Sequence, residues 1–274
     1  MSFIQITDTH FLDDDSLLYG TSPIDRLALG IEMINRDHQD IDFVLATGDL
    51  AHFGEKGAYV QLCAVLKKLE VPYYLMMGNH DSRAPFRDVF PDMPQMEGGF
   101  YQFALETDDM RILCLDSLND IPGDHIGRLC EARLRWLDEE LAKTPADTKL
   151  VLANHHPPFE LGMPAMDQIM LRDSDALWEV ISRRKPDLMV LGHVHRPISG
   201  NWRGIPFHIQ RGFNHQVALS FEKDPAIPFC EEHPDLAIVR SVKDSLLVYT
   251  RSVGGEFRHF PSGSENKQQV LSTG

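Results

Sequence analysis

Five short apolar runs, beginning near residues 3, 41, 71, 149 and 188, each pass directly into a cluster of Asp, Asn or His. Phe3-Ile4-Gln5-Ile6 ends in Thr7-Asp8-Thr9-His10, and Ile41 to Ala46 ends in Thr47-Gly48-Asp49. Val71 to Met76 ends in Met77-Gly78-Asn79-His80-Asp81, where Gly78 suits a sharp turn. Lys149 to Ala153 leads to Asn154-His155-His156-Pro157-Pro158, and Leu188 to Leu191 leads to Gly192-His193-Val194-His195-Arg196. Helical spacing fills the gaps. Ser22-Pro23 starts a helix carrying Ile24, Leu27, Ile31 and Ile34 on one face. Tyr59, Leu62, Leu66 and Leu69 mark a second, Leu134, Leu137 and Leu141 a third over 129–143, and Leu177, Trp178 and Ile181 a fourth over 171–184. Strands alternating with helices predict an α/β fold with a substantial parallel portion. Ligands in open α/β sheets bind beyond the carboxyl ends of the strands, so the five clusters are expected on one rim.

The remaining segments are less regular. Pro85 to Val89 fits a helical turn, and Phe100 to Leu105 with Ile112 to Leu115 fits a hairpin turning at Thr107-Asp108-Asp109. Beyond 197 the pattern becomes helix-poor, with short strands near 205–210, 215–221, 235–240 and 245–251 that read as antiparallel. We expect one catalytic domain over 1–257, its late strands at 205–257 forming a cap or an oligomer surface, and a peripheral tail over 258–274 rich in Ser, Gln, Asn and Gly.

Asp8 and His10 are two residues apart and point the same way on an extended strand end, as do His193 and His195. Asp49, Asn79 and His155 each lie just past a strand. Together these make seven candidate ligands: two carboxylates, one amide and four imidazoles. Nitrogen and oxygen donors without thiolate suit zinc, manganese, iron, cobalt or nickel. Seven donors are too many for one tetrahedral ion and fit two ions sharing a carboxylate. Two divalent ions, less Asp8, Asp49 and a bridging hydroxide, leave a charge of about +1, which suits a singly charged phosphodiester. A neutral Asn79 in place of a third Asp keeps the site positive. Any one cluster alone reads equally well as a polar loop; the ordered set of five does not.

Asp8-Thr9-His10, Gly48-Asp49, Gly78-Asn79-His80-Asp81, His155-His156-Pro157 and Gly192-His193-Val194-His195 resemble the ordered blocks of the calcineurin-like metallophosphoesterase superfamily. Their spacing, with Gly162 to Asp167, is similar to its class III cyclic-nucleotide phosphodiesterase and glycerophosphodiesterase branch. The resemblance implies a four-layer αββα sandwich, here with a C-terminal antiparallel strand extension. It implies two divalent or mixed-valence ions (Mn, Fe, Zn or Co), one held by Asp8, His10, Asp49 and His195. The other would be held by a bridging Asp49 with Asn79, His155 and His193; the H-x-P pattern selects His155 over His156. His80 would not ligate but would contact a phosphate oxygen or protonate the leaving alkoxide, with Asp81 orienting His80 or a nearby loop. The implied reaction is hydrolysis of a small phosphodiester (cyclic nucleotide, glycerophosphodiester or alkyl phosphodiester) by a metal-bound hydroxide. A phosphomonoesterase and a non-catalytic scaffold of the same fold are the alternatives.

Several residues keep two readings. His52 faces the pocket or the surface, Asn119 contacts substrate or only shapes a loop, and Arg196 contacts substrate oxygens or forms a structural ion pair. Phe53, Phe159, Met163 and Met166 line an apolar rim or pack a loop, while His208 and His215 are expected to be structural. A formal charge of −15 disfavours nucleic acid as a partner. No apolar run approaches the length of a membrane span, and no signal-like leader opens the chain. The four cysteines form no CxxC pair and favour a reducing, cytoplasmic setting. A homo-oligomer is expected, through the late strands.

Overall fold

The apolar runs become strands whose two faces are both covered, which is why they carry no alternation. The computed structural model describes residues 2–119, 121–223 and 226–254. In chain order the first half contains β1 (Ser2–Ile6), α1 (Pro23–Asp37), β2 (Phe43–Ala46), α2 (Lys56–Leu66), β3 (Tyr73–Leu75), α3 (Arg83–Val89), β4 (Phe103–Glu106), β5 (Met110–Cys114) and α4 (Glu131–Lys143). There follow β6 (Lys149–Asn154), α5 (Pro164–Asp167), α6 (Ser174–Ile181), β7 (Leu188–Leu191), β8 (Ile198–Trp202), β9 (Ile205–Ile209), β10 (Gln216–Val217), β11 (Phe229–Cys230), β12 (Asp235–Val242) and β13 (Ser245–Ser252).

One sheet has the order β13-β12-β1-β2-β3 and the other β4-β5-β6-β7-β9-β8. Phe3, Phe43, Leu45 and Met76 from the first meet Ile112, Val151 and Val190 from the second in a shared apolar layer. The opposite face of the first sheet packs Ile4, Ile6 and Val44 on Leu27, Ile31 and Leu62 of α1 and α2. The opposite face of the second packs Leu113, Leu152 and Met189 on Leu137 of α4 and Leu177 of α6. The layers therefore run helix, sheet, sheet, helix, as the resemblance implies. α1 begins as its sequence predicts: Ser22 Oγ accepts the Asp25 N–H at 3.1 Å, with Pro23 in the first turn. Gln5 bridges the sheets, its amide donating to the Leu191 carbonyl at 2.9 Å and to Thr47 Oγ1 at 3.0 Å.

The late strands pair with one another antiparallel, as expected, but their placement departs from expectation. β9 pairs in parallel with β7, so its carboxyl end reaches the same rim as the other strands. β12 lies antiparallel between β1 and β13, with Ser2 opposite Arg240. Leu236, Ala237 and Val239 are fully buried there, so β12 belongs to the first sheet rather than to a cap. Among the described residues, only the short β10–β11 pair stands apart from both sheets. The expected tail at 258–274 lies outside the described residues. No described helix is long and apolar enough to cross a membrane.

Candidate metal centre

Three of the five strand-end loops, those after β1, β2 and β7, turn through left-handed residues rather than continuing extended. Of the eight non-glycine residues with positive φ among those described, five are candidate ligands: Asp8 (55°), His10 (47°), Asp49 (50°), His193 (71°) and His195 (53°). The strand-end geometry predicted for Asp8/His10 and His193/His195 is thus corrected. The pairs converge because each ligand occupies a left-handed turn, a conformation Asp and His tolerate better than most residues. The turns lock to one another: Asp8 N–H and His10 N–H donate to the Gly48 and Asp49 carbonyls, each at 3.0 Å. His193 N–H donates to Asp8 Oδ2 at 3.2 Å, and His80 N–H to Asp49 Oδ1 at 2.9 Å.

The seven predicted donors come together. Asp49 Oδ2 lies 3.6 Å from His10 Nε2 and 3.3 Å from His155 Nε2, between two groups. In one, His195 Nε2 is 3.1 Å from His10 Nε2 and 3.2 Å from Asp8 Oδ1. In the other, Asn79 Oδ1 is 3.1 Å from His155 Nε2 and 2.7 Å from His193 Nδ1. Backbone carbonyls fix two tautomers: His155 Nδ1–H donates to Thr47 and His195 Nδ1–H to His215, each at 2.8 Å. Their Nε2 lone pairs consequently face carboxylates and another imidazole. Such a set, rich in lone pairs and poor in protons, fits divalent cations and is ill-matched to an ion-free core. Buried His193 Nε2 has no hydrogen-bond partner among the described residues.

Electrostatics follow the same division. Burial, then the neighbouring His80, holds His10 well below its usual pKa, and burial with His156 and His155 does so for His193. For His155 burial acts the other way from the outcome: the Asp49 carboxylate outweighs it and lifts the ring to about 9. Asp8 likewise outweighs burial and raises His195. A bound cation takes the place of such protons.

Asp81 supports the rim, at the adjoining cleft rather than in the ligand pocket. Its carboxylate accepts the N–H groups of Leu50, Ala51 and Gly78 and the Tyr59 hydroxyl, at 2.9–3.1 Å. Burial and the nearby Asp49 charge push it up to about 6, against the pull of those N–H donors. The role read for Gly78 also changes. A Cβ there would lie 2.2 Å from Asp49 Oδ1, so glycine is required by close approach.

His80 donates Nδ1–H to the His52 carbonyl at 2.7 Å and stacks on the His52 ring at 4.9 Å. His52 itself lies in the pocket, its Nδ1 3.1 Å from His10 Nδ1. Asn119 lines an adjoining cleft, donating to Asp124 at 2.9 Å. Arg196 is not among the pocket-lining residues. It binds Glu232 at 2.7 Å and the Val217 carbonyl at 3.1 Å, which corrects the substrate-contact reading in favour of the structural one. His156 has both nitrogens engaged, with Ser117 at 2.8 Å and the His125 carbonyl at 3.2 Å. Met166 lines the pocket, Phe53 the adjoining cleft, and Phe159 packs on Trp202 and Phe207.

Three pocket residues were not anticipated. His125 Nδ1 is 2.8 Å from Asn79 Nδ2. The His215 ring lies 4.4 Å from that of His195, although the sequence reading made it purely structural. Tyr19 covers His215 at 4.7 Å. A signal for two of them exists: the runs ending at Cys114 and Ile209 are also strands whose carboxyl ends reach this rim.

Comparison with known proteins agrees with this geometry. The family model for calcineurin-like phosphoesterases matches residues 1–197. A probable cyclic nucleotide phosphodiesterase of Rhodopseudomonas palustris is 49% identical over 250 residues, covering 91% of each chain. A probable glycerophosphodiester phosphodiesterase of Arcobacter nitrofigilis is 31% identical, covering 94% of each. Among solved structures, a dimetal phosphatase from Danio rerio superposes with a TM-score of 0.68 at 15% identity, covering 92% of this chain and 96% of that one. Sequence blocks, layered sheets and converging donors together place the chain in the calcineurin-like phosphoesterase family.

Proposed function

We propose that the protein is a metal-dependent phosphodiesterase that hydrolyses small diesters: cyclic nucleotides, glycerophosphodiesters or alkyl phosphodiesters. One observation carries the reading. Seven nitrogen and oxygen donors from five strand ends face one another around Asp49, and no Lys or Arg is among the described residues lining the pocket. Asp8, His10, Asp49 and His195 would hold one ion, and Asp49, Asn79, His155 and His193 the second. Two such ions would supply a nucleophilic hydroxide at neutral pH and would neutralise charge developing on the phosphate. Without an added guanidinium or ammonium, the site suits one negative charge on phosphorus better than two. His80, fixed at Nδ1 by the His52 carbonyl, turns its Nε2 edge to the substrate and assists the departing oxygen. The ions are drawn from Mn, Fe, Zn and Co, since this donor set accepts all of them. Four free cysteines support a reducing, cytoplasmic setting. Exposed Leu247 and Tyr249 on the edge strand β13 support self-association there.

The test is hydrolysis of bis(p-nitrophenyl) phosphate with Mn²⁺ or Co²⁺ added. Wild-type turnover should exceed that of Asp49→Ala by at least about a thousandfold. Equal rates would sink the reading, and faster turnover of p-nitrophenyl phosphate than of the diester would favour a monoesterase.

A further inference from the structure

A phosphodiester carries two substituents on phosphorus, and two clefts meet at this centre. One, of about 180 Å³, contains the candidate ligands His10, Asp49, His193 and His195 and is closed by Ile227 and Phe229. The other, of about 630 Å³, is walled by Phe53, Leu118, Ile121 and Pro122. They share Tyr19, His52, Asn79, His80 and His125. The shared residues mark where a phosphate bridging both clefts would sit. Asn79 is the only one of the seven candidate ligands that lines the larger cleft.

Resting on the diesterase reading, we propose that the larger cleft seats the alcohol that leaves, and that it selects an uncharged, flat group such as a nucleoside or an aryl ring. The smaller cleft keeps the retained arm. His80 and His52 stack with an interplanar angle of 15°, and the Phe53 ring continues from His52 at 4.5 Å. This aromatic wall runs from the proton-handling imidazole outward. Phe53 is 68% exposed and Ile121 60% exposed, large apolar side chains at the mouth of a cleft and not packed in a core. Neither cleft has a Lys or Arg among its described lining residues, so neither is built for a second phosphate or a carboxylate. During turnover the phosphorus–oxygen bond to the arm in the larger cleft breaks. A phosphorus–oxygen bond to the oxygen of water forms, and the proton ends on the departing alcohol.

Two esters with one leaving group separate the clefts. Methyl p-nitrophenyl phosphate and bis(p-nitrophenyl) phosphate both release p-nitrophenol and differ only in the retained arm. Phe53→Ala should lower kcat/KM on both by roughly tenfold. Phe229→Ala should lower it on the bis ester alone. Both side chains are more than half exposed, and metal content and melting temperature verify that each variant stays folded. A Phe53→Ala loss confined to the bis ester, or no loss on either, would overturn the assignment while leaving the diesterase reading intact. A wild-type protein inactive on both esters would overturn both.

Discussion

A ligand at the end of a strand must leave the strand direction to meet ligands from its neighbours. Here five Asp and His residues do so by adopting positive φ, each at a cost of order 1 kcal/mol that the surrounding hydrogen bonds must offset. Gly78 solves a related problem of space: its α-carbon hydrogen faces Asp49, where a Cβ would come within 2.3 Å of the backbone nitrogen. Gly78→Ala must displace either the Asn79 turn or Asp49. A shift of this size should cost about a hundredfold in kcat/KM and weaken metal retention, with a smaller effect on melting temperature. Parallel metal analysis and kinetics of the variant check this. An unchanged kcat/KM would mean that the turn can move without disturbing the centre.

At the scale of elements, the rim is a set of loops cross-braced at Asp81. Buried to 7% exposure, its carboxylate gathers N–H groups from both the β2 and the β3 turns and ties them to α2 through Tyr59. Asp81→Asn replaces one acceptor oxygen by a donor facing those N–H groups. We expect a loss of roughly 1–3 kcal/mol in denaturant unfolding, and a similar roughly 1–3 kcal/mol for Tyr59→Phe, which removes two bonds: the one its hydroxyl donates to Asp81 and the one it accepts from the Ser82 N–H. The two side chains share a bond, so the double variant should lose less than the sum. The sequence made the five strands, the seven donors and the supporting role of Asp81 legible, because apolar runs and their polar ends are local patterns. It hid the placement of the late segment. β9 pairs with β7 and β12 with β1 across long separations, and nothing local distinguishes a parallel from an antiparallel edge. Once β9 is read as antiparallel, its end no longer points to the rim, and His215 is dismissed as structural. Arg196 shows the converse: next to a ligand in sequence, it turns away to Glu232.

For the molecule as a whole, two sheets bury a common apolar layer and present their carboxyl-end loops to one pocket. A net charge of −15 surrounds a centre that two ions would make locally positive. That contrast favours small monoanionic substrates over polyanions, which the acidic surface repels at long range. The claim on which everything rests is that the paired donor groups around Asp49 hold two ions and that both are needed. Stepwise reconstitution of metal-stripped protein, with ions per chain and diester turnover measured on the same samples, tests it most directly. Turnover should climb mainly as occupancy passes from about one to about two ions per chain, with Asp49→Ala never reaching the second and staying at background. Full turnover at one ion per chain or fewer, or an Asp49→Ala variant that matches the wild type, would contradict it.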